Sequence, residues 1–128
     1  MIVVDTDVLI DALKGRRDTK ERIAEALRAR AIGTTTINVF ELLSGAKSGS
    51  SLKSVRSLLD ALRVYPVDHE AGAIAADVRR HLEKRGEGIG MADYLVAGVC
   101  LSRGLPLLTR NLAHFQRVPE LALASQKL

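Results

Sequence analysis

Residues 1–11 read Met-Ile-Val-Val-Asp-Thr-Asp-Val-Leu-Ile-Asp, and this stretch decides the fold predicted for the rest of the chain. The apolar, β-branched residues at positions 2–4 predict a short buried strand. The strand ends at a carboxylate, Asp5, rather than at Gly or Pro. A buried ionised carboxylate must be paired, hydrogen-bonded or metal-bound, because desolvating it alone costs more free energy than so short a strand contributes. We therefore expect a cation beside Asp5.

The overall composition is that of a small globular protein with a modest positive charge. The chain has 128 residues, of which 47% are hydrophobic, and a net charge of +4. A chain of this length buries roughly two-thirds of its unfolded surface, so we expect a single domain over residues 1–128. The charge suits a polyanionic partner but equally describes a solvated basic surface. An aromatic content of 3% disfavours recognition of nucleic acid by base stacking.

The cysteine content and the hydropathy indicate a soluble, cytoplasmic protein. Cys100 is the only cysteine, and no apolar run reaches the about 20 residues needed to cross a bilayer. The N-terminus has neither a basic leader nor a cleavage site. Cys100 lies among apolar residues and is expected in the core, whereas His69 and His81 are expected at the surface.

Strand and helix patterns alternate along the chain, which predicts an α/β fold with a mostly parallel sheet. Besides the first strand, extended segments are expected at 31–36, 63–67 and 105–109, and Pro66 predicts that the 63–67 strand lies at a sheet edge. An Asp18-x-x-Glu21 pattern predicts a helix cap, Asp68 predicts another, and residues 48–51 are the most linker-like segment. Helical spacing fills the remaining segments, 7–13, 18–31, 37–46, 52–62, 68–84 and 89–102.

Three acids interrupt apolar sequence and are the candidate catalytic residues. Asp5 ends the first strand, Glu41 lies on a polar stripe of its helix, and Asp93 begins the largely buried helix. Because ligands gather at the carboxyl ends of parallel strands, these acids and Thr109 are expected at one rim. Clustered carboxylates without a buried Lys or Arg repel each other, and Mg²⁺ or Mn²⁺ relieves that repulsion. A water activated by such an ion is the nucleophile of many nucleases.

Each acid also has a structural interpretation of its own. Asp5 and Asp93 are candidates for helix caps, and Glu41 for a solvated side chain. Asp7 is interpreted as a cap with at most a supporting role near a metal, and Asp11 as an exposed helical residue. The glycines at 86–90 superficially resemble a dinucleotide-binding loop, but they follow a charged helix instead of a strand, which argues against that function.

Four motifs together resemble the PIN-domain family, specifically the VapC-type toxins of toxin–antitoxin pairs. They are Val-Val-Asp-Thr-Asp-Val-Leu-Ile at the start, Phe-Glu-Leu-Leu-Ser-Gly-Ala in the first third, Ala-Asp-Tyr-Leu-Val-Ala-Gly later, and Leu-Leu-Thr-Arg-Asn-Leu-Ala-His-Phe near the end. The resemblance spans almost the whole chain. It implies a three-layer α/β/α sandwich that carries a metal-dependent endoribonuclease site.

The resemblance also implies a role for individual residues. Asp5, Glu41 and Asp93 match the family's acidic metal-binding positions, and Thr109 and Asn111 match its Thr-x-Asn segment beside the site. Many relatives carry a fourth acid where this chain has a His at position 114. A hard cation prefers oxygen ligands, so this His is interpreted as a residue that does not bind the metal.

The predicted function is therefore an Mg²⁺- or Mn²⁺-dependent ribonuclease that hydrolyses phosphodiester bonds in RNA. The family implies a homodimer and inhibition by a cognate antitoxin protein. Two alternatives remain open from the sequence, a receiver-like Mg²⁺-binding signalling domain and a PIN-like module that binds nucleic acid or a partner without catalysis. Basic residues could follow an RNA backbone or form a solvated face; they are Lys14, Arg16, Arg17, Arg79, Arg80 and Arg110.

Overall fold

The computed structural model describes residues 1–124, and residues 125–128 of the expected domain lie outside the described part. Strands and helices alternate as the sequence predicts. The strands are β1 (Ile2–Val4), β2 (Ile32–Thr35), β3 (Arg63–Tyr65) and β4 (Leu107–Leu108). The helices are α1 (Thr6–Leu13), α2 (Arg17–Arg28), α3 (Thr36–Gly45), α4 (Gly49–Ala61), α5 (His69–Lys84), α6 (Met91–Arg103) and α7 (Leu112–Phe115).

The four strands form one parallel sheet in the order β3-β2-β1-β4. Val3 of β1 is in register with Gly33 of β2 and with Leu107 of β4. The β3 strand lies at the edge, as Pro66 predicts. Because β1 is flanked on both sides, Asp5 leaves the sheet from an interior strand and is surrounded by the ends of β2 and β4.

Helices cover both faces of the sheet, which confirms the three-layer α/β/α sandwich. Adjacent residues of a strand point to opposite faces, so Val3 and Leu107 pack into one core while Val4 and Leu108 pack into the other. The first core contains side chains of α5, α6 and α7, and the second those of α1, α2, α3 and α4. Strands buried on both faces explain why the sequence shows apolar runs rather than alternation.

Two local predictions of helix boundaries are wrong. The linker predicted at 48–51 is the start of α4, where the Ser48 Oγ accepts a hydrogen bond from the Ser51 backbone N–H at 3.1 Å. Serine is common both in loops and at helix N-caps, which explains the error. The Asp18-x-x-Glu21 pattern does not cap α2 either, because the helix begins at Arg17 and Asp18 lies within its first turn. The cap predicted at Asp68 is confirmed by a 2.9 Å bond from the Ala71 N–H.

Helices α5 and α6 pack at close range through small side chains. A Cβ atom added at Gly98 of α6 would lie 2.3 Å from the Ala71 carbonyl oxygen and 2.9 Å from the Ala75 Cβ. No ordinary side chain fits there, so glycine is required by the approach of the two helices. This contact fixes the position of α6, the helix that carries Asp93.

Cys100 lies in the core, as predicted, with no exposed surface. Burial, with a smaller effect from the charge of Asp5, raises the pKa of its thiol to about 12. We expect Cys100 to be unreactive toward a disulfide reagent at pH 8 in the native protein and to react fully in denaturant, because only the thiolate is nucleophilic. Spectrophotometric thiol titration with and without denaturant measures this, and rapid native labelling would contradict the assignment.

His69 and His81 are exposed, as predicted. Among residues 1–124, no helix is both long and apolar enough to span a membrane.

Candidate functional site

Asp5 lies where β1 ends and α1 begins, and its side chain is mostly buried, with 9% of the residue surface exposed. Its Oδ1 accepts a hydrogen bond from the Thr6 backbone N–H at 2.9 Å, so Asp5 is the N-cap of α1. The interpretation of Asp5 as a helix cap is therefore correct. The cap uses one donor, however, and further donors reach the same carboxylate.

Two side chains from distant elements also hydrogen-bond to Asp5. The Asn38 Nδ2 donates to Oδ1 at 3.0 Å, and the Thr109 Oγ1 donates to Oδ2 at 2.8 Å. Both donors are neutral. Within the described chain, no Lys, Arg or His forms an ion pair with Asp5. The cation expected from the sequence is therefore not supplied by a side chain of residues 1–124.

The surroundings disfavour the ionised form of Asp5. Burial is the largest cause and raises the pKa of Asp5 from 3.8 to about 6, against the opposing hydrogen bond from Thr109. The charges of Asp7 and Asp93 raise it further. Because Asp93 acts on Asp5 electrostatically, the structure brings these two predicted site residues to the same rim of the sheet.

Glu41 joins the same network through Thr6. The Thr6 Oγ1 donates to Glu41 Oε1 at 2.7 Å and accepts from Asn38 Nδ2 at 2.9 Å. Glu41 is therefore half-buried and hydrogen-bonded rather than a freely solvated side chain. The amide of Asn38 links Asp5 on one side to Thr6 and Glu41 on the other.

Asn38 is the site residue that the sequence prediction missed. It is fully buried, and its Oδ1 accepts from the Thr35 backbone N–H at 3.1 Å and from the Thr35 Oγ1 at 2.7 Å. This capping box at the start of α3 fixes the amide orientation, so Nδ2 donates to Asp5 and to the Thr6 hydroxyl. The available signal was the Thr35-x-x-Asn38 pattern directly after a strand, together with the three-residue spacing to Glu41.

Asp93 lies in the first turn of α6 and does not cap it, since the N-cap residue is Gly90 and has no side-chain hydrogen bond. Its direct contact is with His114, whose Nδ1 lies 3.0 Å from Asp93 Oδ2. Asn111 Nδ2 lies 3.0 Å from the same Nδ1. Asn111 thus reaches the acids through His114, whereas Thr109 contacts Asp5 directly.

Asp7 is also part of the site, and its predicted role as a helix cap is wrong because Asp5 holds that position. Asp7 Oδ2 accepts from the Arg110 backbone N–H at 3.0 Å and lies 3.4 Å from Thr109 Oγ1. Asp7 Oδ1 is buried and has no hydrogen-bond partner among the described residues. An orphaned carboxylate oxygen is costly to bury, which indicates a missing donor or cation nearby.

Asp11 is not the exposed helical residue that the sequence predicts, because only 5% of it is exposed. Its Oδ1 lies 3.1 Å from Arg16 Nε, and its Oδ2 lies 3.0 Å from Arg110 Nε. Arg16 follows α1, and Arg110 follows β4. The two arginines approach from different parts of the chain and cover the carboxylate.

The donor chemistry of the site fits a hard divalent cation. Across residues 1–124, no group of three or more carboxylate, His or Cys side chains forms a ready-made metal site. Hydroxyl and amide donors contact oxygens of Asp5 and Glu41. The candidate ligands are nevertheless carboxylate oxygens, which Mg²⁺ and Mn²⁺ prefer. Asp7 Oδ1 has no hydrogen-bond partner, and neither Asp5 nor Asp7 forms an ion pair with a described side chain, so a cation would meet carboxylates that these side chains leave unneutralised.

Comparison with known proteins shows close likeness in sequence and in fold. The chain matches the family model described as PIN domain over residues 2–121. It is 30% identical over 121 residues to Ribonuclease VapC10 of Mycobacterium tuberculosis, covering 94% of this chain and 90% of the relative. It is 29% identical over 122 residues to the tRNA(fMet)-specific endonuclease VapC of Salmonella typhimurium, covering 91% of each. The crystal structure of DNA-bound VapBC from Salmonella typhimurium matches with a TM-score of 0.86 at 28% identity, covering 97% of this chain and 98% of that one.

Proposed function

Because the chain belongs to the PIN-domain family, we propose that it is a metal-dependent endoribonuclease and the toxin of a type II toxin–antitoxin pair. The observation that carries this proposal is the rim of half-buried carboxylates around the buried Asp5, to which no described Lys or Arg side chain contributes an ion pair. The relatives named as ribonucleases support RNA as the substrate. The match to the PIN-domain model also argues against the receiver-like signalling domain, which the sequence alone left open.

Asp5, Glu41 and Asp93 would hold Mg²⁺ or Mn²⁺. When bound, such an ion would activate a water as the nucleophile and neutralise phosphate charge. Asn38 and Thr109 hold the carboxylate of Asp5 in one orientation, through bonds of 3.0 and 2.8 Å. Thr6 holds Glu41 in the same way.

His114 and Asn111 form the side of the site at Asp93. The ring Nδ1 of His114 lies 3.0 Å from Asp93 Oδ2, so His114 orients this acid instead of adding a fourth carboxylate. Asn111 Nδ2 lies 3.0 Å from the same ring nitrogen, and we assign Asn111 the role of orienting the scissile phosphate. We assign the catalytic roles to Asp5, Glu41 and Asp93, with Thr109 and Asn111 as orienting residues.

The expected partners follow from the same assignment. Solved relatives are described as complexes of VapB with VapC, which supports a cognate antitoxin for this chain. We further propose a homodimer, a single PIN-like domain over residues 1–128 and a cytoplasmic location. The buried, reduced thiol of Cys100 and an RNA substrate are compatible with that compartment.

The decisive test is cleavage of labelled RNA by the purified chain with Mg²⁺, with Mn²⁺ and with excess chelator. We expect cleavage with either ion and none with the chelator, restored when the ion is added back in excess. RNA binding without cleavage under every condition would instead favour the non-catalytic module, for which the His at position 114 is the one supporting feature. Cleavage that persists in chelator would contradict the metal-dependent assignment.

A further inference from the structure

We propose that Arg16 and Arg110, held in place by the buried Asp11, form a binding site for phosphate groups of the RNA strand beside the catalytic acids. This inference rests on the proposed function, because it takes RNA as the ligand. It adds a substrate-backbone site that lies outside the predicted acidic residues.

The site consists of two guanidinium groups on one carboxylate. Asp11 is 5% exposed, and each of its oxygens pairs with a different arginine, at 3.1 Å to Arg16 Nε and 3.0 Å to Arg110 Nε. The arginine side chains themselves are 61% and 52% exposed. The carboxylate thus fixes the Nε side of each group, while much of each side chain remains accessible to solvent.

The charges do not balance within this cluster. One carboxylate neutralises one arginine, so the trio carries a net positive charge, and the two guanidinium groups repel each other across Asp11. Lys14, in the connection between α1 and α2, and Arg17, the first residue of α2, are exposed and add to the positive charge. An anion that contacts both arginines would relieve the repulsion, and a planar guanidinium matches the oxygens of a phosphate.

The location connects the cluster to the acids. Arg110 lies between Thr109 and Asn111, and its backbone N–H donates to Asp7 Oδ2 at 3.0 Å. Asp11 follows Asp7 by four residues on α1, about 6 Å along the helix axis. An RNA strand that has a phosphate group at the catalytic acids therefore passes close to the two arginines. Because Asp11 holds both arginine side chains before the RNA binds, less conformational entropy is lost on binding.

The test measures binding of a short, labelled, single-stranded RNA of random sequence in chelator, where no cleavage interferes. The affinity is determined over a range of salt concentrations for the wild type, Arg16→Gln, Arg110→Gln and Arg110→Lys. Arg85→Gln is the matched control, because the Arg85 side chain is 60% exposed and also forms an ion pair, with Glu87. The unfolding midpoint of each variant is recorded in parallel.

The logarithm of the affinity falls as the logarithm of the salt concentration rises, and each Gln variant is expected to make this slope less steep by about 0.7. That is the value for one lost phosphate contact on single-stranded nucleic acid. Arg110→Lys is expected to keep most of the slope, and Arg85→Gln to leave it unchanged. Unchanged slopes in Arg16→Gln and Arg110→Gln, or an equal loss in Arg85→Gln, would overturn the proposal. A purely structural role would shift the unfolding midpoint and leave the slope as it is, which also overturns it.

The same experiment separates this inference from the proposed function. Wild-type protein that binds RNA with the expected arginine dependence but cleaves nothing in Mg²⁺ or Mn²⁺ would contradict the nuclease assignment and support the phosphate site. RNA cleavage combined with unchanged salt slopes in the two Gln variants would support the nuclease assignment and contradict the phosphate site. No RNA binding at all would overturn both.

Discussion

Replacing Asp5 by Asn is expected to abolish RNA cleavage while leaving the protein folded. The substitution keeps the size of the side chain and its acceptor for the Thr6 N–H and the Asn38 amide, but removes the negative charge. Stabilisation by a catalytic metal amounts to several kcal/mol, so loss of the central ligand should lower the rate about a thousandfold or more. Single-turnover cleavage of labelled RNA measures this.

The same variant is expected to be more stable than the wild type in chelator at pH 7. A pKa raised from 3.8 to about 6 means that the fold favours a neutral group at this position. A difference of this size between the pKa values of the unfolded and folded states corresponds to about 3 kcal/mol at most. The free energy of unfolding of the wild type in chelator should therefore fall by up to this amount as the pH rises from about 4 to about 6. It should not fall further above that range. Denaturant unfolding of both proteins across this range measures the difference.

Asp60→Asn is the matched control for both measurements, because Asp60 is exposed in the last turn of α4. It should change neither cleavage nor the pH dependence of unfolding. Full activity of Asp5→Asn would contradict the site assignment. An equal or lower stability of Asp5→Asn in chelator would show that burial does not disfavour the charge.

Gly98→Ala is expected to destabilise the protein strongly. The new Cβ would lie 2.3 Å from the Ala71 carbonyl oxygen, which is backbone and cannot rotate away. Overpacking of this kind costs about 1–3 kcal/mol and sometimes more, and here α6 must move away from α5. For a protein of this size, 3 kcal/mol corresponds to a fall of about 10 °C in the unfolding midpoint.

Gly72→Ala on the facing helix α5 is the control, because an added Cβ there meets nothing within 4 Å. Alanine has a higher helix propensity than glycine, so this variant should be unchanged or more stable by up to about 1 kcal/mol. Thermal unfolding followed by circular dichroism distinguishes the two. A stable Gly98→Ala variant would show that the helices separate easily at this contact.

The order of strands and helices and the meeting of the acids at one rim could be predicted because both follow from local pattern. Apolar runs that stop at polar residues mark strand ends, and the carboxyl ends of parallel strands share an edge. Asp5 and Thr109 lie directly after such strands, so their convergence needs no knowledge of side-chain packing. The burial of Cys100 follows from the same apolar pattern.

The features that could not be predicted depend on contacts between distant segments. Nothing local to Asp11 indicates that Arg16 and Arg110 would cover it, since Arg110 belongs to a loop almost 100 residues later. Asn38 has an ordinary position on a polar helix stripe, and its importance comes from the Asp5 and Thr6 side chains that it meets. The start of α4 was missed because serine favours both loops and caps.

The hydrogen bond between Thr109 and Asp5 joins residues that are 104 positions apart, and this separation has a consequence for protein synthesis. A nascent chain on the ribosome acquires Asp5, Glu41 and Asp93 first, yet β4 cannot pair with β1 until residue 108 has been made, and Thr109 follows it. Until then, Asp5 lacks one of its orienting partners, and Asp93 lacks His114. The site is therefore complete only after residue 114 has been made and β4 has paired with β1.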